Sequence, residues 1–234
     1  MTGGGTRGIG RATDARLASE GAHVVITGRR KTELDEAVES IGPAVTAVPG
    51  GITDPADLDR LYDVVRERGK GLDVLFANVG AAAFATLEDS TMEHFDRFFA
   101  VNVKGTLATV QKALPLLNEG ASVILNGSNA AEQGTPAFGA YAACKAAIRS
   151  FARTWANELI GRGIRVNSIS PGPVDTSGLA ELFGENKASI VDALPIARLG
   201  RPEEVAAAVA FLASADSSYI VGTDLYLDGG QSRA

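Results

Sequence analysis

Tyr141 and Lys145 stand four residues apart in a segment patterned as a helix, so both side chains share one face. A free phenol, with a pKa of about 10, is a poor base near neutrality. An ammonium beside it favours the phenolate and draws that value down. The pair would then give and take a proton, as reversible exchange between an alcohol and a carbonyl requires. The spacing alone is common to many helices and needs support from the rest of the chain.

That support begins at the opposite end of the sequence. Gly4-Gly5-Thr6-Arg7-Gly8-Ile9-Gly10 opens a helical pattern that runs through Ala12, Ala15, Leu17 and Ala18 to Gly21. Glycines there let backbone N–H groups approach a pyrophosphate, and a helix N-terminus attracts its charge. A tight turn without a ligand is the plainer reading of such a run. After the next strand comes Thr27-Gly28-Arg29-Arg30, with no carboxylate until Glu33. The residue at that place meets the adenosine ribose of a dinucleotide: an acid there favours NAD, an arginine the 2′-phosphate of NADP. Arg29 therefore reads as the phosphate ligand with Arg30 beside it, against the alternative of a solvated surface pair.

Elements to position these groups follow from periodicity. Strands are predicted at 23–27, 44–48, 72–77, 121–125, 164–169 and 223–227, and helices at 31–40, from Asp54-Pro55 onward, and at 92–117, 138–160 and 202–213. Asp54 is the expected N-cap with Pro55 at the first helical position, and Leu58, Leu61, Val64 and Val65 give that helix one apolar face. Alternating strands and helices, with nearly continuous apolar strands, imply an α/β fold with a parallel sheet covered on both faces. The expectation is a Rossmann-type, doubly wound, single domain over residues 1–234. The segment 175–198 fits the pattern least, and a small helix and a flap are both open there.

Further motifs turn this outline into a resemblance. They are Ala77-Asn78-Val79-Gly80 after a strand, Asn102 in the long helix, Ser128 after the next strand and thirteen residues before Tyr141, Tyr141-Ala142-Ala143-Cys144-Lys145, Pro171-Gly172, and Asp228-Gly229-Gly230. With the G-x-x-x-G-x-G spacing of the first loop, and in this order, the chain resembles the short-chain dehydrogenase/reductase superfamily along essentially its whole length. The resemblance implies an NADP(H)-dependent carbonyl reductase or alcohol dehydrogenase acting on a small, mostly apolar carbonyl or alcohol. It implies that Ser128 hydrogen-bonds the substrate oxygen and Tyr141 transfers its proton. Lys145 would bind the nicotinamide ribose and lower the tyrosine pKa, and Asn102 would hold a helix irregularity and a water. Bland readings stand beside two of these: Ser128 as a helix cap, and Asn102 as a buried structural amide. The cofactor-contacting set would be Gly4, Thr6, Arg7, Gly8, Ile9, Gly10, Arg29, Arg30, Ile52, Asn78, Gly80, Tyr141, Lys145, Pro171, Gly172, Val174 and Thr176. Arg7 would be a second basic residue for the phosphate, and Thr176 would lie near the carboxamide. Hydride comes from the cofactor, so no metal is expected. A 3-oxoacyl-thioester reductase is the alternative within the enzyme class, with Arg149 and Arg153 as a basic patch for a carrier protein. A non-catalytic NADP(H)-binding regulatory protein is the alternative outside it.

The chain departs from that pattern in places. Only Met1, Thr2 and Gly3 precede Gly4, where a central strand of about five to seven residues is expected. The first strand is thus expected to be missing or truncated, leaving the second and fourth strands incompletely paired. Gly3 stands where threonine is usual, Gly51 where an aspartate contacts adenine, Val79 for the alanine of Asn-Ala-Gly, and Cys144 for serine. Composition sets outer limits. With 22 basic against 28 acidic residues, the net charge of −6 speaks against nucleic acid or an anionic membrane as partner. One cysteine and no long apolar run suggest a soluble cytoplasmic protein. Ala147, Phe151, Trp155 and Leu159 form a stripe apart from the catalytic one, and with the 92–117 helix this suggests a homodimer or homotetramer.

Overall fold

The computed structural model describes residues 2–3, 5–184 and 187–232. Seven strands form one sheet: β1 (Thr2–Gly3), β2 (Val24–Gly28), β3 (Val45–Pro49), β4 (Leu72–Ala77), β5 (Leu117–Asn126), β6 (Arg165–Pro171) and β7 (Asp224–Leu227). Their order is β3-β2-β1-β4-β5-β6-β7, and each neighbouring pair is parallel. The helices are α1 (Gly8–Ser19), α2 (Lys31–Ile41), α3 (Pro55–Glu67), α4 (Met92–Phe99), α5 (Gly105–Ala113), α6 (Gly139–Leu159), α7 (Ser177–Phe183), α8 (Lys187–Asp192) and α9 (Pro202–Ala213). Asp54 caps α3 as expected, accepting from the Ala56 N–H at 2.8 Å.

Successive strand residues point to opposite faces, and the core divides accordingly. Val25, Leu75, Val123 and Val166 pack toward α3, α5 and α6. Ile26 and Val45 meet Leu17, Leu34 and Ala210, while Phe76, Ile124 and Ile169 meet Val205 and Val209. The sheet is therefore covered on both faces. Leu159 belongs to this core, so the stripe expected along α6 is not wholly outward; Ala147, Phe151 and Trp155 stay half-buried, with Phe151 stacked on Trp155 at 4.4 Å.

β1 is short but central. Thr2 pairs with Ile26 and Phe76, and Gly3 with Thr27. Among the described residues, β2 and β4 have no ladder partner on that side beyond these three positions. The chain between β6 and α9 holds two short helices, α7 and α8, and a bridge from Val174 to Gly200 ties its two ends together. The helix expected across 92–117 is interrupted: α4 and α5 are separated by a π-helical segment, Ala100–Lys104, and the last residues form a 3-10 turn, Leu114–Leu116. No described helix is long and apolar enough to cross a membrane.

Arg165 in β6 is 8% exposed and has no counterpart in the sequence reading. Its guanidinium donates to the carbonyls of Leu212 (3.0 Å), Ser214 (3.2 Å) and Ser217 (3.2 Å), closing the C-terminus of α9 where orphan carbonyls gather. Arg165→Met removes the charged donor these three carbonyls share and leaves them only neutral partners: the Ser122 and Ser217 hydroxyls on Leu212, the Ser217 hydroxyl on Ser214 and the Ile220 N–H on Ser217. It should cost about 2–3 kcal/mol and lower the melting temperature by roughly 5–10 °C for a domain of this size. A melting point within 2 °C of wild type would refute this role.

Candidate active site

The C-terminal ends of β4, β5 and β6 open on one cleft of about 740 Å³. Arg7, Gly8 and Ile9 of the first loop line one end of it, and Ser128, Tyr141 and Lys145 lie within it. Ligands in open parallel sheets bind at this edge, where the strand order reverses.

Lys145 is 2% exposed, and its ammonium donates to the Asn126 carbonyl at 2.7 Å. Burial draws its pKa down from the usual lysine range to about 8. Its Nζ lies 5.5 Å from the centre of the Tyr141 ring. The Tyr141 phenol is pushed above its ordinary value by burial, while a hydrogen bond with Ser128 pulls the other way. This corrects the expectation that the lysine brings the phenol down. Desolvation acts on both groups and favours both neutral forms. Ser128 also accepts from the Ala130 N–H at 3.2 Å, so it caps a short 3-10 turn, Asn129–Ala131, as the blander reading of this serine expects.

Asn102 sits inside the π-helical segment, 1% exposed. Its Nδ2 donates to the carbonyls of Phe98 (2.9 Å) and Ala81 (3.0 Å), and its Oδ1 accepts from the Ala81 N–H at 3.1 Å. The side chain thus captures a carbonyl one turn back, which loosens the helix locally, and clamps the loop after β4. Gly80 fits in this crowd because it lacks a Cβ, which would lie 3.1 Å from Asn102 Oδ1 and 3.4 Å from Lys145 Nζ. Asn78 Oδ1 accepts from Asn126 Nδ2 at 2.8 Å. Among the described residues, Asn126 Oδ1 is buried with no hydrogen-bond partner.

The other expected contacts divide. Gly8 has φ +51°, and a Cβ there would press on Thr176 at 2.9 Å. Gly10 is buried in α1, and no side chain caps that helix, so its first N–H groups remain available to an anion. Gly172 packs against the Asp228 backbone, where a Cβ would meet it at 2.8 Å. Val174 is 5% exposed, and Thr176 caps α7 by accepting from the Leu179 N–H at 3.1 Å. Pro171, Gly172, Val174 and Thr176 all line the cleft. Ile52 is 7% exposed, packs onto Gly105 and is not among the residues that line the cleft. Gly4 lies outside the described residues.

The basic end differs from its simplest reading. Glu33 accepts from Thr6 and from Arg30, both at 2.9 Å, and lies 3.6 Å from Arg7. Arg7 also reaches Glu181 of α7 at 3.1 Å. These partners hold the Glu33 carboxyl below its usual value against the opposing effect of burial. Arg7 and Arg30 thus share a carboxylate, while the stem of Arg29 lies beside Gly51. The sequence reading also passed over an apolar wall. Ala82, Ala83, Phe84, Leu179 and Leu182 line the cleft, and the Phe84 ring meets those of Phe138 (4.9 Å) and Phe183 (5.2 Å). Among the described residues no three His, Cys, Asp or Glu side chains gather as a metal site would need.

Comparison with known proteins agrees with this geometry. A family model described as enoyl-(acyl carrier protein) reductase matches residues 4–232. The chain is 45% identical over 230 residues to oxidoreductase asL5 of Sarocladium schorii, covering 97% of this chain and 92% of that one. It superposes on the crystal structure of a 3-ketoacyl-(acyl-carrier-protein) reductase from Brucella melitensis complexed with NADH (TM-score 0.94, 31% identity, 99% of this chain and 96% of that one). It also superposes on a blue fluorescent protein from a metagenomic library in complex with NADPH (TM-score 0.92, 32% identity, 98% and 96%).

Tyr141→Phe removes one hydroxyl from the cleft and leaves the ring packing against Phe138 intact. Turnover should fall by roughly 10²–10⁴, the range for a lost acid/base group, with dinucleotide affinity little changed. A variant keeping half the wild-type rate would rule out proton transfer by this residue.

Proposed function

The chain belongs to the short-chain dehydrogenase/reductase superfamily, and on that premise we propose that it moves a hydride between NADP(H) and a carbonyl or secondary alcohol. The observation that carries this reading is the convergence of Ser128, Tyr141 and Lys145 in one cleft, with the ammonium 5.5 Å from the centre of the tyrosine ring. The cradle fits a dinucleotide: an uncapped helix N-terminus behind Gly8, the Cβ-free space at Gly80, and the buried acceptor Asn126 Oδ1.

The nicotinamide, when bound, supplies the hydride or accepts it. In this reading Ser128 orients the substrate oxygen, and Tyr141 donates its proton to that oxygen in reduction and takes it back in oxidation. Lys145, fixed by the Asn126 carbonyl, holds the nicotinamide ribose and completes the proton path. Asn102 keeps the loop after β4 in place. The wall of Ala82, Ala83, Phe84, Leu179 and Leu182 suits a small, mostly apolar substrate.

NADP(H) is favoured over NAD(H) by three arginines at the ribose end, Arg29 foremost because Glu33 already neutralises Arg7 and Arg30 in part. A 3-oxoacyl-thioester reductase is a second reading, favoured by the Brucella neighbour's named activity. Its expected docking patch is weakened, since Arg149 is 17% exposed and engaged by Glu132 and Asp224. We further propose a homodimer or homotetramer in the cytoplasm, with Met92, Phe95 and Leu107 exposed on the α4–α5 face as the contact.

The decisive assay is NADPH oxidation against a panel of free ketones and an acyl-carrier thioester. Turnover of free ketones supports the first reading, and turnover of the carrier substrate alone the second. Tight NADPH binding without any turnover would overturn both. Cofactor choice gives a paired prediction. Arg29→Asp should shift preference toward NADH by about 1–3 kcal/mol. Glu33→Gln should shift it the other way, by roughly two- to fivefold, the range of one exposed charge interaction. An unchanged NADPH/NADH affinity ratio in Arg29→Asp would move phosphate recognition to Arg7.

A further inference from the structure

Arg149 lies two turns beyond Tyr141 and one beyond Lys145 on α6, on the face that carries both. Its guanidinium is 17% exposed and forked between two carboxylates on different elements. One N–H reaches Glu132 at 2.6 Å, and Nε lies 2.6 Å from Asp224 of β7. Asp224, 11% exposed, is held in turn by the hydroxyls of Ser168 (2.7 Å) and Ser170 (2.8 Å) of β6. The Tyr226 ring lies 5.6 Å from the guanidinium carbon.

Glu132 matters because of what it is joined to. Ser128, the 3-10 turn 129–131 and Glu132 form one five-residue unit, closed by Ser128 Oγ on the Ala130 N–H and by the Glu132 N–H on the Asn129 carbonyl at 3.0 Å. The serine is at one end of the unit and the arginine contact at the other. Without the second attachment the unit could pivot on β5, and Ser128 would lose its fixed place in the cleft it shares with Tyr141. Asp224 meanwhile ties α6 to β7 and β6, and β6 ends at Pro171, where the cleft wall begins.

We propose that Arg149 is a positioning residue: forked between Glu132 and Asp224, it locks the Ser128 turn to the helix that carries Tyr141 and Lys145. This rests on the proton-transfer reading above for its effect on rate, but not for its effect on structure. The residue acts through Ser128 and touches neither substrate nor cofactor. Lysine cannot replace it, because a single ammonium lacks the planar fork that spans two carboxylates.

The test uses the full chain labelled with 13Cζ-tyrosine, in the variants Arg149→Lys, Glu132→Ala, Glu132→Gln and the double variant Glu132→Ala/Arg149→Lys. At pH 7 the Tyr141 resonance should move in Arg149→Lys and Glu132→Ala and stay at its wild-type position in Glu132→Gln, whose amide oxygen still accepts from the arginine. With NADPH and a reducible ketone, kcat should fall on the order of tenfold or more in the first two, while KM and NADPH affinity stay within about twofold. Glu132→Gln should keep most of the rate, and the double variant should be little worse than either single one, as members of one network behave. A Tyr141 resonance unmoved in folded Arg149→Lys and Glu132→Ala overturns the proposal whatever the activity. So does a rate loss that merely follows the unfolded fraction in thermal melts. Absence of turnover in the wild type would count against the proposed reaction alone, since the resonance still decides the positioning role.

Discussion

The site depends on one contact, the Lys145 ammonium against the Asn126 carbonyl at 2.7 Å. A lysine that is 2% exposed is expensive to charge, and a nearby carbonyl is the means by which the fold keeps it there at all. That carbonyl is at the end of β5, so the register of β5 with β4 and β6 fixes the height of the ammonium in the cleft. The requirement spreads outward. Gly80 has no side chain because Lys145 and Asn102 already occupy the space, and Asn102 satisfies its own amide by clamping Ala81 and opening the helix into a π turn. Lysine has three donors. The one given to Asn126 orients the others toward the cleft that Tyr141 and Ser128 share.

At the far end of the cleft the electrostatics run the other way. There Glu33 draws Arg7, Arg30 and Thr6 together, and Arg7 also spans to Glu181 on α7. These groups are far more exposed than Lys145, so each pair contributes little to stability. Their effect is on local charge: Arg7 and Arg30 are already partly neutralised. Charge is buried and scarce around Lys145, and exposed and mutually compensated around Glu33.

Much of this was legible in the sequence, because it rests on local pattern. The alternation of strands and helices, the Asp54 cap, the glycine loop and the face shared by Tyr141 and Lys145 all follow from spacing within one element. What escaped depends on contacts between elements distant in the chain. Arg149 reads as a surface cation on a helix until β7 brings Asp224 beside it, 75 positions later in the sequence. Glu33 sits only a few residues past the arginines, yet its hold on Arg7 depends on how α2 packs against the first loop. Leu159 extends an apparently separate stripe but turns into the core where α6 ends. The direction of the Tyr141 shift was missed for a related reason. The sequence shows a cation at a fixed spacing and cannot show how completely both groups are withdrawn from water. Asn102 lay between these cases: resemblance indicated a helix irregularity, and the bonds to Ala81 and Phe98 give its cause.

Burial against the Asn126 carbonyl holds Lys145 near the point of losing its proton. NMR titration of the lysine side chains, with Lys145 assigned by its absence in Lys145→Met, measures this directly. One resonance should have a midpoint at about 8, well below the usual lysine range. A Lys145 midpoint above 10, with the exposed lysines, would contradict it.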